Sequence, residues 1–373
     1  MKAIAPAVWY RSGRRPSSGS VAGLLVSLAL VAAATLAPAS AFAAAPPGFV
    51  GIGGERPTSL QLDALQGAKV KVFRVQLNWA GVQPTRNGAY RWSNFDRLVA
   101  AAGQRGVTIL PVLFGSPPWA ASRAGYPPSG TQNRAAFYRF AAAAAKRYRP
   151  GSPFWANQGL DGAVVGIRSL QVWNEPNLRK FWNNSPNARE YARLLKGADQ
   201  SIKAYGNPSA KTILAGMPFS AVDPSDFLRG MFRADPKIYH FFQAAALHPY
   251  ARTPSYAVDY GVRPFRRTLG QLLPSGVYRG LWITEIAWAT GPPDGRFQVS
   301  RSTQASYLQS FYNKLLAIRK THRIKGVIWY GLQDFDDESW WAERTGLIER
   351  SGTNKPSWYR LKCVTGAPTS AIC

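Results

Sequence analysis

The sequence predicts one (β/α)8 barrel, a single TIM-type domain of the α/β class, and three observations predict it. Short apolar runs recur eight times after residue 45, amphipathic stretches separate them, and polar residues able to do chemistry stand where several runs end. Near-continuous apolar runs suit parallel strands buried on both faces. Eight strand–helix units in about 325 residues are what such a barrel needs. A doubly wound open sheet also alternates but rarely needs eight strands in this length. Its glycine-rich phosphate fingerprint is also missing, because Gly51-Ile-Gly-Gly lacks the third glycine at the required offset.

The runs are GFVGIG (48–53), VKVFRVQL (70–77), VTILPVLF (107–114), SLQVWN (169–174), TILAGM (212–217), AAALHP (244–249), LWITEI (281–286) and GVIWYG (326–331). Between them, Ser93-Asn-Phe-Asp has the spacing of a capping box and opens one helix. An Ala-rich helix is expected over Thr131–Tyr148, another begins at Ser185-Pro186, and Ser302–Thr321 bridges to the last strand. No internal repeat, low-complexity linker or charge block splits off a second domain, so the barrel is expected over residues 46–362.

Residues 1–45 are of another kind. A basic start (Lys2, Arg11, Arg14, Arg15), an apolar run over Val21–Ala37 and the small residues APASAFAAA have the layout of a secretory signal cleaved after Ala43 or Ala45. The alternative is an uncleaved anchor, for which the Ala-rich run is marginal in length. Arg14-Arg15 is a weak twin-arginine signal, because Pro-Ser-Ser follows where apolar residues belong. The mature chain is therefore expected outside the cell, with no stable membrane insertion and with cell-wall association open to it. Its two cysteines, Cys363 and Cys373, could close a small loop in the tail over residues 363–373 in an oxidising compartment. Two cysteines exclude a Cys-based metal or redox site.

The formal charge is +27, and the signal region supplies four of the positives and no acid, which leaves +23. Such a field attracts polyanions. The basic residues are scattered, however, with their densest groups at 263–267 and 320–325, and no nucleic-acid motif organises them. An arginine-rich surface is the simpler reading, and no specific nucleic-acid partner is expected.

Barrel chemistry belongs at the C-terminal ends of the strands. Strand two carries Arg74 and ends at Asn78-Trp79, strand four ends on Asn174-Glu175, and strand six ends on His248-Pro-Tyr250. Strand seven carries Glu285, and strand eight carries Trp329 with Gln333-Asp334 just beyond. Two glutamates at one mouth suit glycoside hydrolysis, one carboxyl protonated to donate to the leaving oxygen and the other ionised to attack or to activate water. Arg74 is the natural group to keep the second ionised. Carboxyl groups near 5 Å apart imply retention of configuration, roughly 6.5–9.5 Å implies inversion, and beyond about 10 Å the retaining mechanism is untenable.

The set VWNEPN, HPY, ITE and WYG on strands four, six, seven and eight resembles the clan A glycoside hydrolases, retaining β-glycosidases on (β/α)8 barrels, and within them the family 39 and family 5 types. The likeness runs from Gly48 to about Pro356. It implies that Glu175 is the general acid/base and Glu285 the nucleophile. It further implies that Asn174 holds the sugar 2-hydroxyl, Tyr250 hydrogen-bonds the nucleophile, Arg74 helps to keep it ionised and His248 lines the subsite. Trp329 would give the sugar an aromatic floor, which Trp79, Trp119, Trp182, Trp288, Trp340 and Trp341 could extend. Arg74 departs from the pattern in that FRVQLNW does not fix its direction.

The resulting expectation is a secreted retaining β-glycosidase acting, as a monomer and without cofactor, on a β-linked polysaccharide or oligosaccharide. The long insert after strand three (Gly115–Gly130, then Pro150–Gly166) is expected to shape an open groove or a closed pocket. The three histidines are too dispersed for a zinc site, and DFDDE (334–338) lacks the spacing of a calcium loop, so no metal is expected. A catalytically silent sugar- or wall-binding barrel and a transglycosylase are the rivals. The intact glutamate pair speaks against the first, and acceptor-side loops decide the second. A plain polyanion binder has only the charge behind it.

Overall fold

The computed structural model describes residues 44–373 apart from 184, 292–294, 296, 336–339 and 372. The signal segment, but for its last two residues, and Asp336–Glu338 of the acidic run therefore lie outside the described residues. Each apolar run forms a strand: β1 (Val50–Gly53), β2 (Val72–Asn78), β3 (Thr108–Phe114), β4 (Ser169–Val172), β5 (Lys211–Ile213), β6 (Ala244–Leu247), β7 (Gly280–Ile286) and β8 (Ile324–Tyr330). All pair in parallel with the next in sequence, and β8 closes on β1 through Ile52↔Trp329 and its neighbours. The fold is a (β/α)8 barrel.

One longer helix follows each strand: α1 (Ser59–Gly67), α2 (Ser93–Gly103), α3 (Gly130–Tyr148), α4 (Ala188–Ser201), α5 (Pro224–Ala234), α6 (Arg263–Leu272), α7 (Arg301–Ile318) and α8 (Pro356–Thr365). Two expected starts shift. Ser93 opens α2 without capping it, since Trp92 holds the cap position and makes no side-chain cap bond. The α4 cap is Asn187, not Ser185, because the Asn187 side chain accepts from the Glu190 N–H at 3.1 Å.

Two apolar regions hold the barrel. Strand side chains that face outward meet the inner stripes of the helices, where Phe137, Leu194, Phe265, Leu308 and Leu361 are fully buried. Burying one such side chain contributes about 1.5–3 kcal/mol. Inside the barrel Leu110, Ile213, Ala244 and Ala246, with Val72 and Trp282 against them, form an apolar floor. Side chains of one strand alternate between the two regions. On β2, Val72 belongs to the floor and Arg74, two residues on, stands one layer higher and nearer the mouth. In the tail, Cys363 and Cys373 are joined by a disulfide with Cα atoms 5.4 Å apart.

Candidate active site

The mouth at the C-terminal ends of the strands opens into a cleft of about 640 Å³. Glu175 and Glu285 both line it, together with Arg74, Asn174 and Tyr250. Glu175 arrives there by an abrupt exit from β4. Trp173 and Glu175 have left-handed backbones, with φ of 72° and 45°. The turn is tied down by the Trp173 N–H to Leu113 O at 3.0 Å, the Glu175 N–H to Gly216 O at 3.1 Å and the Trp173 indole N–H to Phe181 O at 3.0 Å. Glu285 arrives by a different irregularity. Thr284, not Glu285, faces the barrel interior beside Gln171 and His248. A register shift in β7 between Ile283 and Ile286 brings Glu285 to the mouth as well.

A dense polar network surrounds the pair. Arg74 donates from Nε to Gln171 Oε1 at 2.7 Å, from Nη1 to Glu285 Oε1 at 2.7 Å and from Nη2 to Asn174 Oδ1 at 2.8 Å. Tyr250 Oη donates to Glu285 Oε2 at 2.9 Å. His248 Nδ1 lies 2.7 Å from Glu175 Oε1 and 3.5 Å from Glu285 Oε2, and its Nε2 lies 3.0 Å from Thr284 Oγ1. Gly216 leaves room for this imidazole, since a Cβ there would sit 1.9 Å from His248 Nε2. One carboxylate oxygen of each glutamate and His248 Nδ1 all lie within 4.8 Å of one another.

These surroundings push the two carboxyls apart. Burial raises the pKa of Glu175, and the neighbouring Glu285 charge adds to it, against the lowering effects of His248 and Arg74. Burial acts upward on Glu285 too, but His248, Arg74 and the Tyr250 hydroxyl outweigh it and hold this carboxyl below its ordinary value. One group is thus set to keep its proton while the other stays ionised. Glu175 Oε2 makes no hydrogen bond among the described residues, so a proton there is not committed to a protein acceptor.

Glu175, His248 and Glu285 are also, among the described residues, the group of side chains close enough to share a cation. Their facing atoms already serve one another, and the Arg74 guanidinium in contact with Glu285 supplies the counter-charge a metal ion would bring. The arrangement is two buried carboxyls held in opposite protonation tendencies beside one arginine and one histidine. Asp334 beyond β8 is taken up by the buried Lys355, whose Nζ lies 2.7 Å from its Oδ2.

Several expected roles are corrected by where the side chains go. His248 is fully buried and stands behind the carboxylates without lining the cleft. Trp329 faces the helices, because it alternates with Tyr330, and Tyr330 lines the cleft in its place. The Trp329 indole donates to Thr345 O at 2.9 Å and packs 6.0 Å from Trp288. Trp288 is bound to Ala251 O at 2.8 Å and Trp79 to Gln83 Oε1 at 3.0 Å, both fully buried. Trp182 is buried against Trp173 and Tyr191, and Trp119 packs on Trp79 away from the cleft. Trp340 and Trp341 do line it, joined by Phe181, Phe219, Phe297 and Tyr330, which the sequence reading did not single out. Neither half of the insert after β3 lines the cleft. Its second half precedes β4 and so belongs to the opposite face of the barrel. The rim comes from the segments that follow β1, β4, β5, β6, β7 and β8.

Fold and site together define a (β/α)8 barrel with two facing carboxylates at its mouth, and solved structures of similar build carry the comparison further. One is a family 39 glycoside hydrolase from the gut symbiont Bacteroides cellulosilyticus WH2, with a TM-score of 0.67 and 20% identity, covering 86% of this chain and 64% of that one. A glucosidase from Croceicoccus marinus matches with a TM-score of 0.64 and 13% identity over 86% of this chain and 67% of that one. A GH5_18 protein from Streptomyces cattleya, solved with Manb1-4GlcNAc, matches with a TM-score of 0.60 and 16% identity over 88% and 82%. The neighbours thus include the family 39 and family 5 types that the sequence motifs resemble, and at these identities the likeness is one of fold. No protein-family model matches the sequence, and no curated protein matches it.

Proposed function

We propose that this protein is a glycosidase that cleaves β-linked glycans with retention of configuration, Glu285 as nucleophile and Glu175 as acid/base. The observation that carries the reading is the facing carboxylate pair, with oxygens within 4.8 Å and with pKa values displaced in opposite directions. An approach that close is compatible with the roughly 5 Å carboxyl separation of the retaining mechanism. Glu285 attacks the anomeric carbon while Glu175 gives its proton to the departing glycosidic oxygen. Glu175, now ionised, then takes a proton from the water that releases the sugar from Glu285. Arg74 and Tyr250 keep Glu285 ionised and oriented, and Asn174, fixed by Arg74, faces the sugar beside the acid. The glycoside hydrolase neighbours support the same reading.

The cleft offers aromatic faces from Trp340, Trp341, Phe297, Phe181 and Tyr330, on which the C–H face of a pyranose packs. Work outside the cytoplasm is part of the proposal, supported by the signal-like leader and the Cys363–Cys373 disulfide. Among the described residues no helix is long and apolar enough to cross a membrane. The test is reducing-end release over a panel of neutral and acidic β-glycans, with the anomeric configuration of the first product read by NMR. Activity that disappears in Glu285→Gln, with a retained anomer, supports the assignment. An inverted product, or activity that survives in the variant, refutes it.

A further inference from the structure

On the face of the barrel opposite the cleft, the fold gathers what the sequence leaves scattered. The two densest basic groups, 263–267 and 320–325, are far apart in sequence. In the structure Arg263, Arg266 and Arg267 of α6 and Thr321 and His322 of the turn before β8 line one recess of about 200 Å³. Arg323 adjoins it, close enough for its charge to act on Arg266. The acidic compensation is small. Asp259 accepts from Arg263 at 3.1 Å, and Asp223 and Asp226, which border Arg267 from a neighbouring cavity, are occupied by the α5 cap and by Arg229. Arg267 is exposed and makes no hydrogen bond or ion pair among the described residues. The crowding is felt at His322, where burial and then Arg263 and Arg266 hold the imidazole below its ordinary pKa.

We infer that this recess binds phosphate groups of a polyanionic polymer and holds the protein to that polymer by the N-terminal face of the barrel. Like charges crowded in a recess repel one another unless an anion joins them, and the guanidinium fork matches phosphate oxygens two at a time. The placement leaves the cleft free. His322 stands just before Ile324, the first residue of β8, and a seven-residue strand separates the two faces of the barrel by about 20 Å. The polymer is taken as one without bases, because no Phe, Tyr or Trp lines the recess, whose one ring is the His322 imidazole, and the nearby Tyr278 ring is already covered by the Arg323 guanidinium at 3.8 Å. The inference does not depend on the glycosidase assignment.

The test is binding of inorganic polyphosphate to the whole protein as salt is varied. With three to four arginines engaged, the logarithm of affinity should fall with the logarithm of salt at a slope of about −2 to −3. Arg263→Gln/Arg267→Gln should weaken binding about tenfold or more near physiological salt and flatten the slope by about 1. A control that removes two exposed charges elsewhere, Arg91→Gln/Arg97→Gln, should change affinity by less than about twofold. Melting curves verify that both variants fold, and should the double variant unfold, Arg267→Gln alone is read by the same criteria. Equal losses in the recess variant and the control overturn the inference, as does absence of binding by the unmodified protein. Tighter binding of a thymidine oligonucleotide than of polyphosphate of equal charge also overturns it, in favour of nucleic acid.

Discussion

Replacing Tyr250 by Phe removes one oxygen from the site and little else, and the consequence can be worked out from the geometry. The hydroxyl donates to Glu285 Oε2 at 2.9 Å, while the ring is held independently by Trp341 at 5.0 Å and Phe297 at 6.0 Å. A hydrogen bond to a charged group contributes about 1.5–3 kcal/mol. Because Tyr250 lines the cleft, water can partly replace the lost donor, so the lower end applies, about 1.5 kcal/mol. All of that falls on the ionised form of Glu285, and at 1.36 kcal/mol per pKa unit it amounts to about one unit upward.

In the proposed mechanism Glu285 must be ionised to attack, so the acidic limb of kcat/KM would report its titration in the free enzyme. In the unmodified protein that limb is expected on the acid side of an ordinary glutamate's titration, the direction in which His248, Arg74 and Tyr250 move Glu285. In Tyr250→Phe it should move to higher pH by about one unit, with a plateau within about tenfold of the original. Stability follows the same sign. A depressed carboxyl pKa contributes stability that is present above the unfolded-state value and lost as pH falls through the folded-state value, and the variant should show less of it. The assay is a pH profile of kcat/KM on the substrate that the glycan panel identifies. A limb that stays in place while the plateau falls would refute the reasoning and make Tyr250 a sugar-positioning group.

Glu175→Gln should reduce kcat by about 10²–10⁴ and remove the basic limb of the pH profile, since in the proposed mechanism it takes away the proton donor; pre-steady-state and steady-state kinetics check both. Trp341→Ala should raise KM more than it lowers kcat, because Trp341 borders the cleft beside Tyr250. Trp329→Ala should instead cost about 3–5 kcal/mol of stability in denaturant unfolding, being fully buried behind the barrel wall. Lys355→Met leaves Asp334 without its ion-pair partner in a buried position, and a loss of about 3–5 kcal/mol is expected in the same measurement.

How much of this was legible in the sequence depends on what each inference needed. The strands were legible because burial on both faces makes each one a continuous apolar run, and all eight formed where those runs stand. The carboxylate positions were legible to the level of a strand end, which is a place in the topology, whereas the backbone irregularities that aim Glu175 and Glu285 into the cleft were not. The tryptophans were not. Whether Trp329 or Tyr330 faces the cleft turns on a single residue of strand phase, and both are aromatic, so composition cannot choose. His248 reads as a polar residue at a strand end, yet the space that Gly216 leaves draws it behind the glutamates. Nor could one sequence show that 263–267 and 320–325 meet, since that depends on α6 packing beside the turn before β8.

The two glutamates share a feature that the motif does not carry. Neither sits on regular strand geometry, for Glu175 follows a backbone that turns left-handed at Trp173 and again at Glu175 itself, and Glu285 stands in a shifted register. A left-handed non-glycine residue costs on the order of 1–3 kcal/mol and persists only where its surroundings over-determine it. Here they do, because the Trp173 N–H, the Trp173 indole and the Glu175 N–H are each bound to a separate segment of the barrel. A regular continuation of β4 would send adjacent side chains to opposite faces, so that Asn174 and Glu175 could not both line the cleft. The departure from regularity puts them there together, with Asn174 on Arg74 and Glu175 on His248. In β7 the shifted register does the equivalent for Thr284 and Glu285, one holding His248 from within the barrel and the other presented to the cleft. Strain at β4 and irregular pairing at β7 thus let consecutive residues serve one site, which an unbroken strand would forbid.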